Sequence, residues 1–156
     1  MLQDIRPEAA YLGIDPSEYA VERFGEERNL RRGTFGELGY HVFDEPFDLV
    51  VCSDVLHYLS AEEIREGVDA LADRTGGLAV IDIFTEEDDP EGDRVDFHRR
   101  PAAWYVGVLE DAGLVPVGLQ MYVHHEVAGI LERLDLPQRA RRDAGTPASG
   151  RHDQRE

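Results

Sequence analysis

The chain is 156 residues long, 42% hydrophobic and 31% charged, with 33 acidic against 16 basic residues and a net charge of −17. That balance fits one soluble globular domain and disfavours nucleic acid or an anionic membrane as partner, because either would be repelled. The single cysteine, Cys52, excludes an internal disulfide and any multi-cysteine zinc site, and without a signal-peptide pattern or a membrane-length apolar run the expected location is cytoplasmic.

Residues 1–9 read as the tail of a helix stopped by Pro7, since proline biases its predecessor away from helical angles. The short apolar run 10–15 ends in an acid. Asp15-Pro16-Ser17 then opens a helix, with Asp15 available as N-cap and Pro16 suited to the first helical position. Tyr19, Ala20, Val21 and Phe24 give that helix a buried stripe, which Gly25 cuts short. Residues 30–34 form a weak strand before the turn-rich Gly36 and Gly39.

Residues 47–53 (FDLVVCS) make the clearest strand, and its near-continuous apolar run is the pattern of a parallel strand covered on both faces. Ser60-Ala61-Glu62-Glu63 is a capping box, followed at helical spacing by Ile64, Val68, Leu71 and Ala72. Gly76-Gly77 is expected to end that helix, and residues 78–84 (LAVIDIF) to form the second strong strand. Residues 85–100 form an acidic linker that turns basic at His98-Arg99-Arg100. A helix over 102–112 points Trp104, Val108 and Leu109 inward and is capped by Gly113. Residues 114–123 read as a third long strand, and 125–134 as a helix or a last strand.

The domain is expected over 1–136. Residues 137–156, with five arginines against three acids, read as a disordered tail. Strands alternating with helices imply an α/β fold, a mostly parallel sheet with helices on both faces.

Three segments together resemble the class I S-adenosylmethionine-dependent methyltransferases, over about residues 1–123. Tyr11-Leu12-Gly13-Ile14-Asp15-Pro16-Ser17 is similar to the family's second strand, whose terminal acid binds the cofactor ribose. Phe47 to Leu59 (FDLVVCSDVLHYL) is similar to the fourth strand and the loop under the cofactor's methionine part. Residues 76–84 and then 104–113 are similar to the fifth strand and the helix after it. The family's first strand and glycine-rich loop have no counterpart, since none of the 14 residues before Asp15 except Gly13 is glycine, and Gly13 lies in the second-strand motif itself. The expected fold is therefore Rossmann-like and lacks the first strand, as in an N-terminally truncated chain.

The resemblance implies S-adenosyl-L-methionine as cofactor and methyl transfer to a small-molecule acceptor in the full-length ancestor, this chain being an incomplete or inactive fragment. It makes Asp15 and Pro16 cofactor-binding residues, a role that for Asp15 coexists with helix capping. Thr34 and Phe35 fall where the family packs the adenine, and Ser53, with Asp54 beside it, lies at a strand's C-terminal end, where open α/β sheets bind ligands. His98 and His57 are candidate general bases against the plainer readings of a solvated linker histidine and a packing residue. Tyr105 and His98 would line the acceptor site on the linker. Cys52 reads as an inert core thiol. No metal site is expected, since His124-His125 has no third ligand at suitable spacing and Glu86–Asp89 reads as a solvated acidic run. Two rivals stand beside this reading: a non-catalytic remnant acting as a binding module, and a nicotinamide-dependent Rossmann oxidoreductase.

Overall fold

The structure, a computed structural model, describes residues 9–89 and 95–135. The readings of 137–156, and of 1–9 apart from Ala9, fall outside those residues. In chain order come β1 (Gly13–Asp15), α1 (Glu18–Arg28), β2 (Leu30–Arg32), a short 3-10 turn (Leu38–Tyr40) and β3 (Phe47–Ser53). A second 3-10 turn (Leu56–Tyr58) then leads to α2 (Ala61–Asp73), β4 (Thr75–Asp82), α3 (Ala102–Asp111), β5 (Leu114–Gly118), β6 (Met121–His124) and α4 (His125–Asp135).

The entry to α1 corrects one expectation. The cap is Ser17 and not Asp15: its Oγ accepts the Ala20 N–H at 3.2 Å, while Asp15 Oδ1 accepts the Ser17 N–H at 2.8 Å. Pro16 therefore lies before the helix. Gly25 does not end it either, because the helix runs to Arg28 and stops at Asn29, whose φ of 45° is a left-handed cap. The expected stripe is weak. Tyr19 is 66% exposed and no residue of α1 is buried.

The α2 entry is as expected. Ser60 Oγ accepts the Glu63 N–H at 3.2 Å and Glu63 Oε2 accepts the Ser60 N–H at 2.8 Å, closing a capping box. Gly76 and Gly77, however, do not end the helix; they lie inside β4. A side chain on Gly77 would collide with the Asp48 carbonyl of β3, so glycine is there for close approach of strand to strand.

Residues 114–123 are two strands and not one. Leu119 (φ 53°) and Gln120 (φ 59°) both take left-handed angles, the geometry of a two-residue hairpin turn, and fold β5 back on β6.

β1 and β2 pair in parallel as a two-stranded sheet, and the others form a four-stranded sheet in the order β3-β4-β6-β5. β3 and β4 are parallel, while β6 is antiparallel to both its neighbours. In that sheet β3, β4 and β5 therefore run one way, with β6 alone against them. The core lies on one face. Cys52, Ala79, Ile81, Leu114 and Tyr122 meet Ile64, Val68 and Leu71 of α2 and Tyr105 and Leu109 of α3 there.

Val123, next along β6, points to the opposite face, where it is buried outside that cluster, as is Ala128 of α4. At β3 this second face is bare: Leu49 is 44% and Val51 59% exposed. Both faces of β3 were expected to be covered. Only one is, because α4 packs on β5 and β6 and leaves β3 at the sheet's edge.

Candidate functional site

Two groups of the expected site residues gather at strand ends. The first surrounds Asp15, the last residue of β1. Its carbonyl accepts the Gly33 N–H at 3.2 Å, tying β1 to the loop after β2. Its carboxylate accepts the Ser17 N–H. A carboxylate offers about four acceptor sites, so capping leaves capacity for hydroxyl donors. Pro16 is exposed beside it. In the loop after β2, Thr34 donates through both its N–H and its Oγ1 to Glu37 Oε2, each at 2.9 Å. Those two bonds hold the Glu37 carboxyl below its usual range. Phe35 faces inward at 8% exposure against Gly67 of α2 and anchors the loop that displays Thr34.

The second group lies where β3 and β4 end. Ser53 Oγ donates to Asp82 Oδ2 at 3.3 Å, and the Asp54 N–H donates to the Asp82 carbonyl at 3.3 Å. Asp54 takes a left-handed φ of 56°, a conformation that non-glycine residues adopt rarely and often at functional turns. Asp82 was missed in the sequence. In the sequence it sits inside the apolar run 78–84, and only the end of β4 at Asp82 sets it apart.

His57 follows in the 3-10 turn and is 0% exposed. Its ring lies against Tyr58, Phe84 and Phe97, with centroids 4.4, 5.3 and 5.1 Å away. Nδ1 accepts the Phe84 N–H at 3.4 Å. The ring proton therefore sits on Nε2, which is buried without a hydrogen-bond partner. Burial pushes its pKa down, against a smaller upward pull from Asp54 and Asp82. As placed, His57 has no accessible lone pair to act as a base.

The linker closes over this histidine. The His98 N–H donates to the His57 carbonyl at 2.8 Å, while the His98 residue itself is exposed. Arg100 donates to the Leu59 carbonyl at 2.7 Å and to the Tyr105 hydroxyl at 3.2 Å, and lies 4.8 Å from the Trp104 ring centroid. This clasp was not foreseen; a single arginine in a basic run gives no hint of a carbonyl 41 residues away. Tyr105 is buried and helps to line a cavity of about 190 Å³ with Ile83, Thr85, Asp88, Gln120 and Tyr122. Thr85 and Asp88 close a turn at its rim, the Asp88 carboxylate accepting the Thr85 N–H and hydroxyl at 2.8 and 2.9 Å.

Among the described residues no group of three or more His, Cys, Asp or Glu side chains could hold a metal ion. Nor is any described helix long and apolar enough to cross a membrane.

Known proteins give three findings. The family model described as "Methyltransferase domain" matches residues 1–76. No curated protein sequence matches. Among solved structures, an O-methyltransferase from neocarzinostatin biosynthesis, in complex with S-adenosyl-L-homocysteine and 1,4-dihydroxy-2-naphthoic acid, is 18% identical with a TM-score of 0.55, over 78% of this chain and 42% of its own. An N,N-8-amino-8-demethyl-D-riboflavin dimethyltransferase from Streptomyces davawensis is 17% identical with a TM-score of 0.53, over 79% of this chain and 43% of its own. An N-methyltransferase from Bradyrhizobium japonicum is 20% identical with a TM-score of 0.53, over 75% of this chain and 67% of its own. The chain thus spans less than half the length of the first two.

Proposed function

We propose that this chain is a relative of the class I S-adenosylmethionine-dependent methyltransferases and carries the ribose and acceptor sides of a methyl-transfer site for a small-molecule acceptor. The observation that carries the reading is the carboxylate at the end of β1 beside the Thr34 loop. Asp15 would accept the two ribose hydroxyls of S-adenosyl-L-methionine, as an acid after the second strand does in dinucleotide folds. Pro16 and Thr34 would flank the nucleoside, Phe35 would hold that loop in place, and Ser53 would face the methionine side.

The bound cofactor would supply the sulfonium leaving group, so what remains for the protein is alignment of donor and acceptor. The residues present fit that task. Asp15 keeps acceptor capacity, and the acids Asp54 and Asp82 suit a cationic ligand. The acceptor would enter between the linker and the cavity beside Tyr105. If the acceptor must lose a proton, exposed His98 is the better placed base, since the His57 lone pair is engaged by Phe84. The acceptors named for the similar structures are small molecules, in keeping with this pocket. The acidic surface argues against nucleic acid, and cytoplasmic residence is part of the proposal.

The test is a titration of the protein with S-adenosyl-L-homocysteine, and separately with adenosine, followed by amide NMR. Shifts should centre on Asp15–Ser17, Thr34 and Ser53-Asp54, and Asp15→Ala should require markedly more nucleoside to produce them. No response to either ligand, or a response confined elsewhere, refutes the proposal.

A further inference from the structure

We propose that residues 95–101 form a proton-released strap over the His57 ring, tied to the rim of the cavity beside Tyr105 and opened when the His57 imidazole is protonated. The proposal does not depend on the chemistry the cavity serves. Three contacts make the latch. The His98 N–H donates to the His57 carbonyl at 2.8 Å, the Phe97 ring lies 5.1 Å from the His57 ring, and Arg100 donates to the Leu59 carbonyl at 2.7 Å. The strap also holds the cavity rim, because the Arg100 carbonyl accepts the Glu86 N–H at 2.9 Å and its guanidinium meets the Tyr105 hydroxyl. Strap, rim and cavity wall are therefore one connected unit.

The closed arrangement requires a neutral ring. Nδ1 accepts the Phe84 N–H, and a proton on Nδ1 would set two donors against each other. The cation formed would lie at a site with 0% exposure, beside Tyr58, Phe84 and Phe97, where Nε2 already lacks a partner. Such a charge is costly away from water.

Among the described residues, few titratable groups surround the ring. Asp54 on its own loop and Asp82 at the end of β4 both favour the cation, whereas burial opposes it and prevails. Tyr58 lies against the ring, and the strap brings exposed His98 beside the turn. Protonation is thus resisted while the strap is closed and unopposed by burial once it is open. Opening then rises by up to about tenfold per pH unit between the closed-state pKa and the ordinary value near 6.5.

Trp104, the only tryptophan in the chain, reports on the latch because Arg100 covers its ring. The experiment follows its fluorescence and the hydrogen-exchange protection of the His98 amide (corrected for intrinsic rates) from pH 8 downward. His57 is titrated by side-chain NMR in the same samples, with far-UV circular dichroism monitoring the fold. The expected result is that emission and protection change together at the His57 midpoint while the dichroism stays native. His57→Asn, whose amide oxygen can still accept the Phe84 N–H but cannot be protonated, should remove the transition. If that variant fails to fold, coincidence of the wild-type midpoints decides, and His98→Gln should leave them in place. The strap is overturned if Trp104 is silent while His57 titrates. It is equally overturned if the transition survives in His57→Asn, if it vanishes in His98→Gln, or if it coincides with loss of dichroism.

Discussion

Replacing Gly67 by alanine tests how α2 holds the loop that displays Thr34. A Cβ there would run into the Phe35 carbonyl and ring, with Cε1 at 2.7 Å. The ring is a core side chain and the carbonyl belongs to the backbone, so neither gives way cheaply. Alanine in a helix interior gains about 0.8–1 kcal/mol over glycine, whereas overpacking a closed site loses about 1–3 kcal/mol. Displacing the Phe35 backbone puts Gly67→Ala at the upper end of that range, for a net loss of about 1–2 kcal/mol. Gly107 of α3 is the control, because a Cβ there would meet nothing within 4 Å. Gly107→Ala should gain about 0.5–1 kcal/mol. At about 2–4 °C per kcal/mol for a chain of this size, thermal denaturation separates the two in opposite directions from wild type. Amide NMR should also show Thr34 and Glu37 moving in Gly67→Ala alone. A Gly67→Ala protein as stable as wild type, with the Thr34 resonance unmoved, would refute the packing argument.

Burial pushes the Cys52 thiol up to about 12, so at pH 8 the thiolate is scarce; iodoacetamide should label it only after denaturant is added, and rapid labelling of native protein would contradict its placement. Ser60→Ala removes the capping box of α2 and should destabilise by about 1 kcal/mol in urea titrations, with a null result showing that the cap is idle. Because the folded His57 pKa is lowered, its contribution to stability is fully present above about 6.5 and is lost as pH falls from there through the folded value. Urea midpoints measured across that window should fall in wild type and less in His57→Asn, and parallel curves would remove His57 as the cause. Asp15→Ala should weaken S-adenosyl-L-homocysteine binding by about 1.5–3 kcal/mol in calorimetry, and unchanged affinity in a folded variant would leave Asp15 only a turn residue.

The periodic elements were legible in the sequence. β3 was read over the residues it occupies and the Ser60–Glu63 capping box was read in full, because each rests on local chemistry. Two of the misplaced boundaries share one cause, which is that glycine carries two meanings. Gly76-Gly77 looks like a helix stop, yet the Asp48 carbonyl of the neighbouring strand is what needs the missing side chain. Gly25 looked like another stop, and the helix passed through it to Asn29. The β5–β6 hairpin was hidden for a different reason. Its turn residues, Leu119 and Gln120, are not the usual left-handed ones, so only sheet pairing reveals the fold-back.

The clearest local signal for the candidate site was an acid that ends a strand. Asp15 announces itself because an apolar run stops in a carboxylate, whereas Asp82 is followed by Ile83 and Phe84 and gives no such signal. The strap over His57 could not be read, because each of its hydrogen bonds to the His57 turn has a main-chain atom at one end. The His57 carbonyl, the Leu59 carbonyl and the Phe84 N–H are groups every residue owns, and only the fold brings them to His98, Arg100 and the His57 ring. A histidine in an apolar turn reads as packing, and its exposed neighbour in the linker reads as solvated. Both readings are right for each residue alone. The hydrogen bond from one backbone to the other turns them into a latch, and that is the level at which the linker's hold on the cavity has to be tested.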